Sequence, residues 1–468
     1  MIELKNVSFG YDGAGCGSLN NITIDIRAGE CAVLTGKSGC GKTTVTRLVN
    51  RLIPDFYSGK LSGFVRIAGH DTSDCEPHTL SQTVGSVFQN PRTQFFNTDT
   101  DSELVFGMEN CGIEYEEMHR RYCGTVKALG LSALCRRDIF ALSGGEKQRI
   151  AFGSIHALSP EIYVLDEPSA NLDAAMVEKL REVLVTLKKQ GKTILIAEHR
   201  LHYLNGIADR IIRMENGGIT NEWTGDELSA MSNDVLAAYG MRSFSESPLV
   251  VSKSVQGCYG PALEVNNISV AYKGAGTVLS NLSFSVGTGE IVGIVGANGF
   301  GKSTLARTIC GLHREKNGQI LFDGKPVKPA KRHRFAYLVM QDPNYQLFCE
   351  SVDAELKFNA ANEKCDEAAV KGLLQALDLE GVRDHHPLAL SGGQKQRLCI
   401  ALAALSPAKI LIFDEPTSGL DYANMMSVAS ILKSLSAAGK TLLIITHDNE
   451  LISNVCTRAI RLSNNSKY

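Results

Sequence analysis

The sequence predicts an α/β protein made of two domains in tandem, each built on a mainly parallel sheet. Three observations carry that expectation. Short apolar runs alternate with helical patterns, as they do in strand–helix–strand units. A glycine-rich octad occurs twice, as Gly36-Lys37-Ser38-Gly39-Cys40-Gly41-Lys42-Thr43 and Gly296-Ala297-Asn298-Gly299-Phe300-Gly301-Lys302-Ser303. The remaining motifs then recur in the same order in both halves.

In chain order, Met1-Ile2-Glu3-Leu4-Lys5 opens a strand pattern at once, so no signal peptide is expected. Apolar strands are expected over 31–35 and 290–295, leading into the octads, with helices over 43–52 and 303–312 behind them. Buried strands are expected at 162–165, 193–197, 410–413 and 441–446. The stretch from about 225 to 261 fits neither pattern well. It holds a short helical run over 226–239 and then a polar, Ser-rich run, and reads as a connector. The expected organisation is therefore a first domain over 1–225, a linker over 226–261 and a second domain over 262–468.

Matched motifs fix the alignment of the halves. Lys42 pairs with Lys302, an offset of 302 − 42 = 260, and Gln89 with Gln341, an offset of 341 − 89 = 252. Ser143 with Ser391, Asp166 with Asp414 and His199 with His447 all give 391 − 143 = 248. The first half thus carries its extra residues between its octad and the LSGG segment, where surface loops tolerate them.

Bulk properties narrow the class. Length alone gives a soft prior of about three domains, which the repeat overrides. A net charge of −2 leaves no electrostatic footprint for nucleic acid or an acidic membrane surface. The 13 cysteines contain no C-x-x-C and read as reduced small hydrophobes rather than a disulfide framework or zinc site. The longest apolar runs, such as 291–296, are far short of the roughly 20 residues of a membrane helix. If the protein works at a membrane, another chain supplies the span.

The octads fit G-x-x-x-x-G-K-[ST], the P-loop pattern. Around Gly36, Ser38, Gly39 and Gly41, and around Gly296, Asn298, Gly299 and Gly301, backbone N–H groups can close on phosphate oxygens. Lys42 and Lys302 reach the outer phosphates. Thr43 and Ser303 are placed to ligate Mg²⁺, and Thr44 and Thr304 follow in the same turn. Each half then has a buried strand ending in two carboxylates, Asp166-Glu167 and Asp414-Glu415. An Asp there holds Mg²⁺, and the following Glu can take a proton from the attacking water. A surface turn containing Asp-Glu-Pro is the ordinary alternative, and it loses force after a P-loop in the same half.

LSGGEKQR and LSGGQKQR follow, over 142–149 and 390–397. Ser143-Gly144-Gly145 and Ser391-Gly392-Gly393, each opening an apolar helix, form an anion cradle of hydroxyl, backbone N–H groups and helix N-terminus. A simple serine N-cap is the competing reading; the second glycine and the repeated Lys-Gln-Arg argue against it. A second anion site in each half implies head-to-tail pairing, the LSGG of one half covering the phosphates held by the other.

With these motifs the chain resembles two ABC-type ATPase domains fused in tandem, over nearly its whole length except the linker. The resemblance implies ATP and Mg²⁺, and in each domain a parallel core sheet, an antiparallel β subdomain and a helical subdomain. It implies that Tyr11 and Tyr272 stack on adenine and that Asp166 and Asp414 help Thr43 and Ser303 hold Mg²⁺. It implies that Gln89 and Gln341 sense Mg²⁺ and the attacking water, and that Glu167 and Glu415 are catalytic bases. It implies that His199 and His447 contact the γ-phosphate and that Asp173 and Asp421 cross the domain interface. On the residues alone, a lone histidine at a strand end is more often structural, and Tyr11 and Tyr272 could equally be core aromatics; their matched positions favour the functional reading. Neither half looks degraded, so two hydrolytically competent sites are expected. Cys40, just ahead of a helix, is either a reactive thiol protected by ATP or, more ordinarily, a small tolerated residue.

The segments around Gln89 and Gln341 narrow the resemblance. They read Phe88-Gln89-Asn90-Pro91-Arg92-Thr93-Gln94-Phe95-Phe96 and Met340-Gln341-Asp342-Pro343-Asn344-Tyr345-Gln346-Leu347-Phe348, with Glu103-Leu104 and Glu355-Leu356 nine residues after the second glutamine. Together with Leu52-Ile53-Pro54-Asp55-Phe56-Tyr57 and Ala197-Glu198-His199-Arg200, they resemble the duplicated ATPase subunit of energy-coupling factor (ECF) importers; the alternatives are a fused ATPase of another ABC transporter class and a soluble ribosome-associated tandem ABC ATPase. That implies a transmembrane T subunit and a small substrate-binding S subunit as partners, at the cytoplasmic face of the cell membrane. Phe95, Phe96 and Phe348 either present a groove to a partner's helix or belong to the core of the helical subdomain.

Overall fold

The computed structural model describes residues 1–12, 18–170, 172–245, 260–272, 276–359 and 367–462. The chain divides into two compact units, Met1–Glu246 and Ser247–Tyr468. In the first, an antiparallel sheet has the strand order Leu19–Ile26, Ile2–Tyr11, Gly59–Ile67, His70–Asp71. A six-stranded sheet runs Gly218–Thr224, Arg210–Glu215, Cys31–Gly36, Thr193–Ala197, Ile162–Asp166, Val84–Val87. It is parallel except for its edge strand Gly218–Thr224.

The second unit repeats the plan. Its antiparallel sheet runs Thr277–Gly287, Pro261–Ala271, Asn317–Phe322, Lys325–Pro326. Its parallel sheet runs Ala336–Val339, Ile410–Asp414, Thr441–Ile445, Ile291–Val295, Arg458–Arg461.

Period-two alternation explains why the central strands are apolar throughout. Ile162 and Val164 join the core beneath the antiparallel sheet, while Tyr163 and Leu165 join the core on the opposite face. Ile410 and Ile412 divide from Leu411 and Phe413 in the same way. A parallel strand buried on both faces has no polar side to show. On the second face lie the helices of the expected helical subdomain, Thr100–Asn110 and Tyr115–Ala128, and in the second unit Val352–Asn359 and Glu367–Ala376. The first crosses the helix Gly144–Leu158 closely: a Cβ on Gly153 would lie 2.7 Å from Leu104 Cδ2.

The segment expected to be a linker differs from that expectation in its first part. Residues 226–245 carry the helices Gly225–Ser229 and Asn233–Ala238, and Leu228, Leu236, Met241 and Phe244 are buried in the first unit's core. The helical run belongs to the first unit because its apolar residues find partners in that unit's core. Residues 246–259 of the expected linker lie outside the described residues. The next strand begins at Pro261.

Candidate active site

Each P-loop joins the end of a central strand to a helix N-terminus, Cys31–Gly36 to Lys42–Val49 and Ile291–Val295 to Lys302–Ile309. Gly41 is left-handed, with φ 105°, and a Cβ there would stand 2.6 Å from Leu19 Cδ2, so only glycine fits the turn. The first-turn N–H groups have no intrahelical acceptor and face the loop with the positive end of the helix. Lys42 is buried, and its Nζ donates to the carbonyls of Gly36 and Lys37, both at 3.0 Å. Lys302 donates to the carbonyls of Gly296 and Ala297 at 2.6 and 3.1 Å, and its Nζ lies 3.0 Å from His447 Nε2. Asn298 Oδ1 is 3.1 Å from the same histidine nitrogen. Loop, lysine and histidine are thus brought together.

The two carboxylates of each half sit where the strand passes beside the P-loop helix. Thr43 Oγ1 donates to Asp166 Oδ1 at 3.3 Å. Burial pushes the Asp166 carboxyl up to about 6, against the Thr43 hydrogen bond and the Lys42 charge. Asp414 is raised by burial in the same way and opposed by a hydrogen bond from Ser303 and by Lys302. Burial, then Asp166 and Glu198, push Glu167 up to about 8, against Lys42 and a hydrogen bond from Gln89. Glu167 and Glu415 both adopt left-handed backbone, φ 47° and 52°, a strain on the order of 1–3 kcal/mol at each. Their N–H groups are pinned to the next strand, on the carbonyls of Ala197 and Ile445 at 2.8 Å.

His199 Nε2 is 3.6 Å from Glu167 Oε1, and His447 Nε2 is 3.7 Å from Glu415 Oε1. The first pair is not an ion pair in the nucleotide-free chain: burial, then Lys42 and Arg242, hold His199 well below its ordinary value, while Glu167 is raised. Both groups are then neutral at pH 7, and 3.6 Å is too long for a hydrogen bond.

The serines of the LSGG segments do cap their helices. Ser143 Oγ accepts from Glu146 N at 3.4 Å, and Ser143 N donates to Glu146 Oε2 at 2.8 Å. Ser391 and Gln394 repeat this reciprocal pairing at 3.3 and 2.9 Å. The N-cap reading that the sequence argued against is therefore present, and it is compatible with the cradle because the first-turn N–H groups of Gly144, Gly145, Gly392 and Gly393 still face outward along the axis. Asp173 and Asp421 likewise cap the helices Ala174–Lys189 and Tyr422–Ala437, accepting from Met176 N and Asn424 N at 2.9 and 2.8 Å.

Tyr11 is partly buried and packs against the first unit's core, edge-on to Phe9, whereas Tyr272 is exposed. Their hydroxyls lie 3.3 and 3.2 Å from Thr44 Oγ1 and Thr304 Oγ1, beside the P-loop helix. Arg47 donates to Tyr11 OH at 2.9 Å, and His313 lies against Tyr272 with ring centroids 4.5 Å apart. Arg47 and His313 escaped the sequence reading because they belong to no motif. Cys40 is buried in the first unit's core, which favours its ordinary reading over an accessible thiol.

Gln89 and Gln341 are exposed at the strand ends. The second glutamines act on the backbone instead. Gln94 Oε1 accepts from Phe88 N and its Nε2 donates to the Ser86 carbonyl, both at 3.2 Å. Gln346 does the same for Met340 N and the Leu338 carbonyl, at 2.7 and 2.6 Å. Each amide extends an edge strand's ladder as a neighbouring strand would. Buried Glu103 accepts from the N–H groups of Phe96 and Asn97 at 3.1 and 2.8 Å, and buried Glu355 from those of Phe348 and Cys349 at 3.0 and 2.6 Å. Phe96 and Phe348 are consequently held with their rings exposed, 77% and 80%, while Phe95 packs against the core. The alternatives left open for these aromatics divide: Phe95 is core, and the other two are surface.

The donor set fits Mg²⁺. Each half offers one hydroxyl and one carboxylate, and Mg²⁺ is usually held by one or two protein oxygens, substrate phosphates and water. Among the described residues no cluster of three or more His, Cys, Asp or Glu side chains forms a self-sufficient metal cage. Thr43 with Asp166, and Ser303 with Asp414, would hold the ion; when bound it supplies charge for the phosphate oxygens. Among the described residues no helix is long and apolar enough to cross a membrane.

Comparison with known proteins agrees with this geometry. The family model described as ABC transporter matches residues 19–170 and 279–418, more than half of the chain. An ABC transporter ATP-binding protein of Treponema denticola is 46% identical over 99% of this chain and 95% of its own length. One from Methanosarcina acetivorans is 32% identical over 98% of this chain and 84% of its own length. Among solved structures, a ribosome-bound archaeal Pelota and ABCE1 assembly superposes with a TM-score of 0.73 at 23% identity, covering 98% of this chain and 76% of that one; this likeness concerns the fold alone. The chain belongs to the ABC transporter family of ATP-binding proteins, and it is an ATPase with two such domains in tandem.

Proposed function

We propose that this ATPase energises an ECF-type importer of a vitamin or other micronutrient, working at the cytoplasmic face of the cell membrane through a transmembrane T subunit and a substrate-binding S subunit. The observation that carries the reading is the pair of splinted segments after Gln89 and Gln341. In both, a glutamine amide and a buried glutamate hold the backbone so that one aromatic ring stays exposed. In the second unit Phe348 borders a groove of about 360 Å³ whose walls include Leu312, Tyr345 and Phe358. An amphipathic helix of a membrane partner would lay its apolar face in such a groove.

Within each site we assign the roles that the motifs imply, which the geometry supports. Lys42 and Lys302 bind the outer phosphates and the first-turn N–H groups cradle them. Thr43, Asp166 and Gln89, with Ser303, Asp414 and Gln341, hold and sense Mg²⁺. Glu167 and Glu415 accept the proton of the attacking water, and His199 and His447 stand beside the γ-phosphate. Tyr11 and Tyr272 stack on adenine. The two domains pair head to tail, Ser143 and Ser391 with their glycines closing on the phosphates of the opposite domain, and Asp173 and Asp421 crossing at that interface. Their fusion raises the effective concentration of each for the other.

The test is an affinity pull-down of the full chain carrying Glu167→Gln and Glu415→Gln, with ATP, from gently solubilised membranes. Two small polytopic membrane proteins in the eluate support the importer reading. Ribosomal subunits without any membrane protein would contradict it.

A further inference from the structure

The two catalytic glutamates are matched in sequence, yet their surroundings differ. In the second unit Thr446 Oγ1 donates to Glu415 Oε2 at 3.0 Å, and the Gln396 amide donates to the Glu415 carbonyl at 3.0 Å. Thr446 and Gln396 are both buried. Glu415 is thus held at its side chain and at its backbone, with Oε1 left toward His447.

At the 248-residue offset the matching residues of the first unit are Glu198 and Gln148. Glu198 does not donate to Glu167. It accepts from Ser169 Oγ at 2.8 Å, Tyr203 OH at 3.0 Å, and the N–H groups of His199 and Arg200 at 2.8 and 3.1 Å. Glu167 Oε2 is buried with no hydrogen-bond partner, and so is the side-chain amide of Gln148. The difference has a structural origin. Ser169 and its counterpart Thr417 both need an acceptor behind the catalytic loop. In the first unit that acceptor is the residue before the histidine, Glu198. In the second it is the residue after the histidine, Asp448, whose Oδ2 takes the Thr417 hydroxyl at 2.8 Å. Moving the carboxylate past the histidine frees position 446 for a hydroxyl that can reach Glu415.

We propose that Thr446 is a positioning residue for Glu415, and that the two nucleotide sites consequently hydrolyse ATP unequally, the Glu415 site turning over faster. A general base works when one oxygen is held in line with the attacking water. Glu415 has its second oxygen tied by a buried hydroxyl; the Glu167 carboxyl has a hydrogen bond from exposed Gln89, but its buried Oε2 has none. The inference rests on the chain being an ATPase and on these site residues, and it stands independently of the importer reading.

The experiment is steady-state ATP turnover of the full chain in matched backgrounds. Glu415→Gln lowers kcat about tenfold more than Glu167→Gln, the scale of one hydrogen bond to a charged group. With Glu167→Gln present, so that only the Glu415 site works, Thr446→Val lowers kcat about tenfold again. The KM for ATP is unchanged, and Thr446→Ser restores the rate. With Glu415→Gln present, Thr446→Val has no further effect. Equal residual turnover in the two Glu→Gln variants would overturn the proposal. So would a Thr446→Val loss of the same size in both backgrounds, because a general folding defect lowers both sites alike.

Discussion

Glu167 shows what a nucleotide site costs the nucleotide-free chain. Its carboxyl, ordinarily near 4.5, is pushed up to about 8 by burial and by Asp166 and Glu198. Between those values the folded chain holds a proton that the unfolded chain has lost, so this group lowers stability progressively as pH rises from about 4.5 to about 8. Glu167→Gln removes the group. In thermal melts without nucleotide the variant is predicted to be more stable than the parent, by a margin that widens from pH 5 to pH 8.5; parallel profiles would contradict this. At this scale the sequence was legible where chemistry repeats: Lys42, Asp166, Glu167 and His199 stand together, as their motifs implied. It was not legible for Thr446 or Arg47, whose roles depend on which residue lies opposite in space. The one sequence clue to Thr446 was that the residues on both sides of each histidine differ, Glu198 and Arg200 against Thr446 and Asp448.

At the scale of elements, the segments used to narrow the family turn out to be backbone splints. Gln346 holds the Leu338 carbonyl and Met340 N–H, and Glu355 the N–H groups of Phe348 and Cys349; Gln94 and Glu103 hold the matching four groups. Gln346→Ala leaves Met340 N and the Leu338 carbonyl without their partner, at a cost of about 1–3 kcal/mol. Denaturant unfolding of the variant should show this loss, and nucleotide affinity should be kept because neither group touches the P-loop. An unchanged midpoint would mean the amide is not holding the strand. The central strands and P-loop helices were readable from two-sided apolar runs and punctuating glycines. The splints were not: a glutamine that mimics a neighbouring strand looks, in sequence, like any surface glutamine.

At the scale of the whole molecule, the first unit extends about twenty residues beyond the boundary expected from sequence, to Glu246. Phe244 is 2% exposed in that unit's core. Phe244→Ala is therefore predicted to cost about 3–5 kcal/mol, seen as a lower unfolding midpoint; a loss near zero would return the segment to connector status. The duplicated plan itself was the most legible feature of the chain, because a repeated motif order survives every change in loop length. The central claim is that both halves are complete nucleotide sites. It is tested most directly by counting ATP bound per full chain carrying Glu167→Gln and Glu415→Gln in the presence of Mg²⁺. The account predicts two, falling to one with either Lys42→Ala or Lys302→Ala. One ATP per chain before the lysine substitutions, or no loss after one of them, would contradict it.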